Sequence, residues 1–308
     1  MHVVITSPAV RPLTTGDNYY QHRIIASAPN SDHAVINISE PDALTHLEKM
    51  KAAGTILSYR PEFTDYQPMG LVYHGELTEQ NVMGQQFEIV GWGPAMQLKA
   101  DMGRGLRIGR GDTGLTAAAA QDAFQIKTEP ASDAEAVDTH GHGTACSSII
   151  GGMYGALPEA MIVEAAAIPN GQGSESTVAN AIQRLVQAKV DMISLSLGGS
   201  ASQIIDDMVV WAQRSGVPCS VAAGNGGPQD LVGSPARLAL FVWGATSFDG
   251  RTSAPFSSGG NNWTLEVGAL PGVDIGVAHL DGGYGRGSGT SFACPLGSAI
   301  AAALGRLL

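Results

Sequence analysis

The feature that most restricts this chain is a series of nearly unbroken apolar segments that begins near residue 100. "AMIVEAAAI" (160–168), "DMISLSLGG" (191–199) and "VPCSVAAGN" (217–225) lack the polar alternation of a half-exposed strand. Strands read this way when both faces are covered, as in a parallel sheet flanked by helices. Between them lie "STVANAIQRLVQAKV" (176–190) and "SQIIDDMVVWAQRSG" (202–216), whose apolar residues recur at helical spacing. "GLRIGR" (105–110) adds a short strand, "GTACSSIIGG" (143–152) a helix, "LALFVWGA" (238–245) a strand and "TSFACPLGSAIAAALGRLL" (290–308) a closing helix. Alternation of this kind predicts a doubly wound α/β domain with a mainly parallel sheet and a site at the carboxyl ends of its strands.

A different pattern precedes residue 80. "HRIIASA" (22–28) and "DHAVINIS" (32–39) read as strands. "EPDALTHLEKMKAAG" (40–54) places Leu44, Leu47, Met50 and Ala53 on one helical face before a glycine stop, and "TILSYRPEF" (55–63) reads as another strand. Residues 1–80 are therefore expected to form a small α+β unit, with "TDYQPMGLVYHGELTEQ" (64–80) as an extended connector to a second domain, residues 81–308.

Composition narrows the function classes. The 308 residues carry a net charge of −11 with no Lys/Arg cluster, which argues against nucleic acid or an anionic membrane as partner. No apolar run reaches the ~18 residues of a membrane span. "MHVVITSPAVRP" shows no basic–apolar leader, and Cys146, Cys219 and Cys294 are too few for a disulfide scaffold. These features lean towards a cytoplasmic protein, or an exported one if a leader has been removed.

Four residues stand where chemistry is built. Asp112 follows the first strand of the larger domain, His142 opens a helix in "DTHGHGTACSS", Asn225 ends the strand in "SVAAGNGG", and Ser291 opens the last helix in "GSGTSFACP". Nucleophilic hydrolysis requires a hydroxyl, an imidazole to take its proton, a carboxylate to orient the imidazole, and donors aimed at the developing oxyanion. At a helix N-terminus Ser291 has an unpaired backbone N–H that can join the Asn225 amide as such a donor. Gly289 allows close approach of the backbone, and Pro295 is expected within the first helical turn.

The elements Asp-Thr-Gly, His-Gly-Thr, Ser-Leu-Gly-Gly, Ala-Ala-Gly-Asn and Gly-Thr-Ser-x-Ala-x-Pro resemble those of subtilisin-like serine proteases, in that family's order, over roughly residues 80–308. The resemblance implies a serine endopeptidase working through an acyl-enzyme, with Asp112, His142 and Ser291 as triad and Asn225 as oxyanion donor. It implies that Ser196, Leu197 and Gly198 line one side of a cleft for an extended protein or peptide substrate. The stretch from Gly171 to Ser174, Gly173 included, would pair on the other side, and Ala223, Gly224 and Gly233 would border the pocket before the scissile bond. The first domain resembles the family's propeptide, with a ferredoxin-like α+β fold. That implies a chaperone and inhibitor, cleaved by Ser291 somewhere in the connector. No cofactor or metal is expected.

The sequence also departs from the family. Arg110 precedes Asp112 in what is usually an apolar strand, and a charge there needs a partner or an exit to solvent. The loop "GGMYGALPEA" (151–160) is short, so calcium is not expected at the site the family usually has there. Cys146 and Cys294, one helical turn after His142 and Ser291, are expected to face the core. "LVGSPARLAL" (231–240) suggests a pocket without a charge at its base, favouring an apolar or small residue before the cut. Arg286 and Asp281, in "HLDGGYGRGSG", are expected in a solvated loop.

Rival readings attach to the same residues. Gly109, Gly111 and Gly114 spell G-x-G-x-x-G, a dinucleotide turn, and Arg110 to Asp112 spell an adhesion tripeptide. His140 competes with His142 as the base, and the two could form a His-x-His metal site, although no further ligands stand at suitable spacing. A non-catalytic binding or scaffold protein of subtilisin-like fold, silenced by its first domain, is the alternative to an enzyme.

Overall fold

The computed structural model describes residues 2–6, 24–29, 31–37, 43–53, 57–74, 90, 102–259 and 267–305. The expected boundary at 80/81 lies outside the described residues.

Val3, Val4 and Ile5 form a short apolar run that the sequence reading left unassigned. It is strand β1 (His2–Thr6), and it pairs on both edges. The antiparallel sheet has the order β2-β3-β1-β4, with β2 (Ile24–Ala26), β3 (His33–Asn37) and β4 (Ser58–Pro61). Side chains alternate between its faces. Val3, Ile5, Ala34 and Ile36 pack against Leu47 and Met50 of helix α1 (Ala43–Ala52). Val4 and Val35, on the other face, join the core of the larger unit. Both faces are thus covered, and the small unit is seated on the large one.

Two strands after β4 belong to the larger body. β5 (Gln67–Pro68) pairs antiparallel with β11 (Leu197–Gly198), and β6 (Leu71–His74) pairs antiparallel with β16 (Tyr284–Ser288). The described part of the expected connector, residues 64–74, is therefore held by main-chain hydrogen bonds on that body.

The seven-stranded sheet has the order β14-β13-β12-β10-β7-β9-β8. Its strands are β7 (Arg107–Asp112), β8 (Thr128–Pro130), β9 (Met161–Ala166), β10 (Met192–Leu195), β12 (Cys219–Ala222), β13 (Phe241–Thr246) and β14 (Val267–Pro271). Every pairing is parallel. The chain starts at β7 in the middle, builds one edge, then crosses to β10 and builds the other. The order therefore reverses between β7 and β10, where a crevice opens at the strand ends.

Adjacent residues of the same strand serve two cores. Ile162 and Met192 pack beneath helices α3 (His142–Ile150) and α6 (Thr290–Gly305). Val163 and Ile193 pack beneath α4 (Glu175–Gln187) and α5 (Gln203–Arg214). This double covering is why those strands carry no polar alternation. Ser174 caps α4 in a reciprocal capping box with Thr177, and Ser202 caps α5. A short helix, α2 (Ala118–Phe124), follows β7, and β15 (Ile275–Ala278) forms a hairpin with β16. Arg286 lies in β16, paired with Asp274, and so is not in the loop expected from its glycine-rich surroundings.

Candidate active site

Asp112 ends β7 and His142 starts α3, and the two meet above the sheet. His142 Nδ1 lies 2.8 Å from Asp112 Oδ1, with both side chains fully buried. Backbone donation from Thr113 N to the same Oδ1, at 2.8 Å, holds the carboxylate. Burial alone would lower the pKa of His142, but the Asp112 carboxylate outweighs it and the net is well above the ordinary value. Asp112 is therefore partnered by His142; exposed His140 lies against Gly171, its ring edge-on to that of His142 with centroids 6.3 Å apart.

Asp138 was not singled out from the sequence, yet it holds this corner together. Its Oδ1 accepts from His140 N and Gly141 N, and its Oδ2 from Thr144 N and Thr144 Oγ1. Thr113 Oγ1 also donates to Asp138 Oδ1 and accepts from Gly143 N. Burial would raise the pKa of Asp138, but the donors from Gly141 and Thr144 and the charge of Arg110 hold it below the usual carboxylate value. A carboxylate just ahead of a helix start is the signal that could have identified it.

The charge expected to need a partner has one. Arg110 is 1% exposed, and its Nη2 lies 2.7 Å from Glu164 Oε1, the residue in register with it on β9. Glu164 is also held by Thr116 N, Thr116 Oγ1 and Ser147 Oγ. Burial of Arg110 and Asp112 removes the adhesion-tripeptide reading. The three glycines have packing reasons. A Cβ on Gly109 would lie 2.9 Å from Val190, one on Gly111 2.6 Å from Leu195, and one on Gly114 2.6 Å from the Ala136 carbonyl oxygen. No pyrophosphate is needed to account for them.

Ser291 sits in the first turn of α6. Its Oγ donates to Ser196 O at 2.9 Å, and His142 Nε2 has no hydrogen-bond partner among the described residues. Asn225 Oδ1 accepts from Thr290 N and Thr290 Oγ1, both at 3.0 Å. Thr290 thereby fixes the oxygen end of the amide against the helix start. Pro295 lies in the second turn rather than the first. Having no N–H, it leaves the Ser291 carbonyl without its helical partner. That carbonyl is taken by Ser196 Oγ at 2.9 Å and Cys146 Sγ at 3.6 Å.

The connector runs through the groove beside these groups. Tyr66 N donates to Gly173 O at 3.2 Å and Gly173 N to Tyr66 O at 2.9 Å. Residues 67–68 pair with 197–198, Met69 N donates to Ser196 O at 3.1 Å, and Ser291 N donates to Met69 O at 2.9 Å. Gly173 thus lies on one side of this strand and Ser196, Leu197 and Gly198 on the other. A cavity of about 980 Å³ next to Met69 is lined by Ala223 and Gly233, but not by Gly224. Gly224 instead donates its N–H to Thr290 Oγ1 at 3.2 Å. The lining also includes two charged residues, Asp230 and Arg237.

Among the described residues the only cluster of potential metal ligands is Asp112, His142 and Cys146. Its imidazole atom, Nδ1, is the one already bonded to Asp112, so a metal would have to displace that proton. Cys146 and Cys294 are buried, with burial raising both thiol pKa values.

Residues 44–306 match the subtilase family of peptidases. Alkaline serine exoprotease A of Vibrio alginolyticus is 38% identical over 176 residues, 55% of this chain and 32% of that protein. Minor extracellular protease Epr of Bacillus subtilis (strain 168) is 34% identical over 175 residues, 54% of this chain and 27% of that one. Subtilisin-like protease 4 of Trichophyton equinum is 37% identical over 175 residues, 53% and 43%. The chain thus spans less than half the length of each of these relatives. The solved structure of a cold-adapted subtilisin-like serine proteinase aligns with a TM-score of 0.60 and 29% identity, over 68% of this chain and 78% of that one.

Proposed function

This chain belongs to the subtilase family and has its doubly wound fold, and we propose that it is a serine endopeptidase made as a self-inhibited precursor. One observation carries this: its own residues 66–69 lie between the two edges of the groove, with the Met69 carbonyl on the Ser291 N–H at 2.9 Å. A substrate lying this way presents the Met69–Gly70 bond to Ser291.

In this reading Ser291 Oγ turns from Ser196 O towards His142 Nε2 and gives up its proton there as it bonds to the Met69 carbonyl carbon. Asp112 keeps the imidazole proton on Nδ1 and stabilises the imidazolium. The oxyanion is held by Ser291 N–H and the Asn225 amide, whose orientation Thr290 sets. The C–N bond then breaks, and the His142 proton passes to the Gly70 nitrogen. Water, deprotonated by His142, hydrolyses the acyl-enzyme.

Residues 1–69 would act as inhibitor and folding template. Their seat fits that role: Arg60 Nη1 and Nη2 lie 2.7 and 2.6 Å from Glu175, and Glu62 accepts from Ser176 N at the start of α4. The test is the intact mass and N-terminal sequence of purified wild type and Ser291→Ala. Cleavage after Met69, leaving an N-terminus of Gly70-Leu71-Val72, is expected in wild type alone. Identical masses would overturn self-processing. The scaffold alternative is favoured only by the Ser291 Oγ–Ser196 O bond. It would prevail if a fluorophosphonate probe failed to label the chain after residues 1–69 were removed.

A further inference from the structure

Gly70 raises a question that its backbone does not answer. It is absent from the glycines with positive φ, so no left-handed conformation requires it. What it lacks is room. A Cβ at this position would lie 2.7 Å from Phe292 Cε2 and 3.2 Å from both Ser288 O and Ser291 Cβ.

None of these neighbours gives way easily. Phe292 is fully buried, and its ring meets the His142 ring edge-on, with centroids 5.8 Å apart. The ring also lies against Gly287, where a Cβ would come within 2.3 Å of Cζ. Pushing the ring aside would therefore disturb Gly287 or the imidazole. Nor can the backbone back away, because Met69 O is tied to Ser291 N and residue 71 is in register with Ser288 on β16. A side chain at position 70 would have to shift by about 1 Å to reach ordinary contact distance.

Taking Met69–Gly70 as the bond to be cut, we propose that Phe292 is the specificity-determining residue for the position after the cut, and that it admits glycine and excludes larger residues. The substrate class is thereby narrowed to peptides with glycine on the leaving side. Phe292 acts by occupying the space where a Cβ would project.

Gly70→Ala in the full-length chain tests this through the rate of cleavage after Met69, followed by intact mass. Displacement of about 1 Å at a reacting centre costs ~10²-fold in rate, so cleavage about 100-fold slower than wild type is expected. Gly70→Ala combined with Phe292→Leu should recover to within about 10-fold of Phe292→Leu alone; if the leucine variant does not fold, Phe292→Met takes its place. Gly70→Ala cleaved at the wild-type rate would overturn the gate while leaving self-processing intact. Equal slowing by Gly70→Ala with and without the Phe292 substitution would overturn the assignment to Phe292. No cleavage after Met69 in wild type would overturn the processing reading and the gate with it. A second readout uses processed enzyme and peptides Tyr-Gln-Pro-Met-X-Leu-Val-Tyr. The ratio of kcat/KM for X = Gly over X = Ala should fall from about 100 to below about 10 with Phe292→Leu.

Discussion

Arg110→Met removes the cation from a fully buried pair two residues before Asp112. Glu164 would lose Nη2 at 2.7 Å, and the Gly114 carbonyl would lose its donor. Breaking a buried pair by removing one partner costs about 3–5 kcal/mol. Two facts place this case near the lower end. Glu164 keeps Thr116 N, Thr116 Oγ1 and Ser147 Oγ as donors. Arg110 Nε and Nη1 make no hydrogen bond among the described residues, so part of the desolvation cost of these donors is already borne by the parent. A loss of about 3 kcal/mol at a urea slope of about 3 kcal/mol/M lowers the midpoint by roughly 1 M. The measurement is urea unfolding in a Ser291→Ala background, which prevents self-digestion. Arg110→Met combined with Glu164→Gln should return to within about 1 kcal/mol of the parent, since an uncharged replacement of a buried pair is often neutral. If the double variant is as unstable as the single one, Arg110 is held by packing rather than by Glu164, and the electrostatic account fails.

Asn225→Ala should slow self-cleavage by about 10²–10³-fold, the range known for removing one such donor in subtilisin itself; a change below threefold would remove Asn225 from the oxyanion site. Cleavage in the intact chain should rise with pH through a midpoint above 6.5, because His142 must be neutral to act as base and its folded pKa is raised. By the same linkage, protonated His142 stabilises the Ser291→Ala precursor fully below its unfolded pKa, and that stability is lost as pH rises through the folded pKa. A cleavage midpoint at or below 6.5 would contradict the Asp112 effect.

The parts of this protein readable along the chain are those set by local pattern. Apolar runs covered on two faces marked β9, β10 and β12, and helical spacing marked α4 and α5. β1 was missed because a run of three apolar residues, Val3 to Ile5, carries little periodic signal. β5, β6 and the β15–β16 hairpin were missed because what makes them strands is their pairing with each other and with β11. Pro295 was expected in the first turn of α6 but, with the helix starting at Thr290, it is the sixth residue and lies in the second turn. Asp230 and Arg237 reached the wall of the Met69 cavity through a loop whose path no periodicity describes.

By itself the sequence determined which chemistry was available, an acid, an imidazole, an amide and a hydroxyl, and which sheet would carry them. Side-chain type and periodicity are properties of neighbours along the chain. Tertiary structure alone decided which bond lies against Ser291, that Glu164 faces Arg110, that the Ser291 hydroxyl turns to Ser196, and that Phe292 fills the space beside Gly70. Each of these depends on the register between segments 54 to 222 residues apart. Register is set by packing of the whole molecule, where a displacement of about 1 Å decides whether a side chain fits.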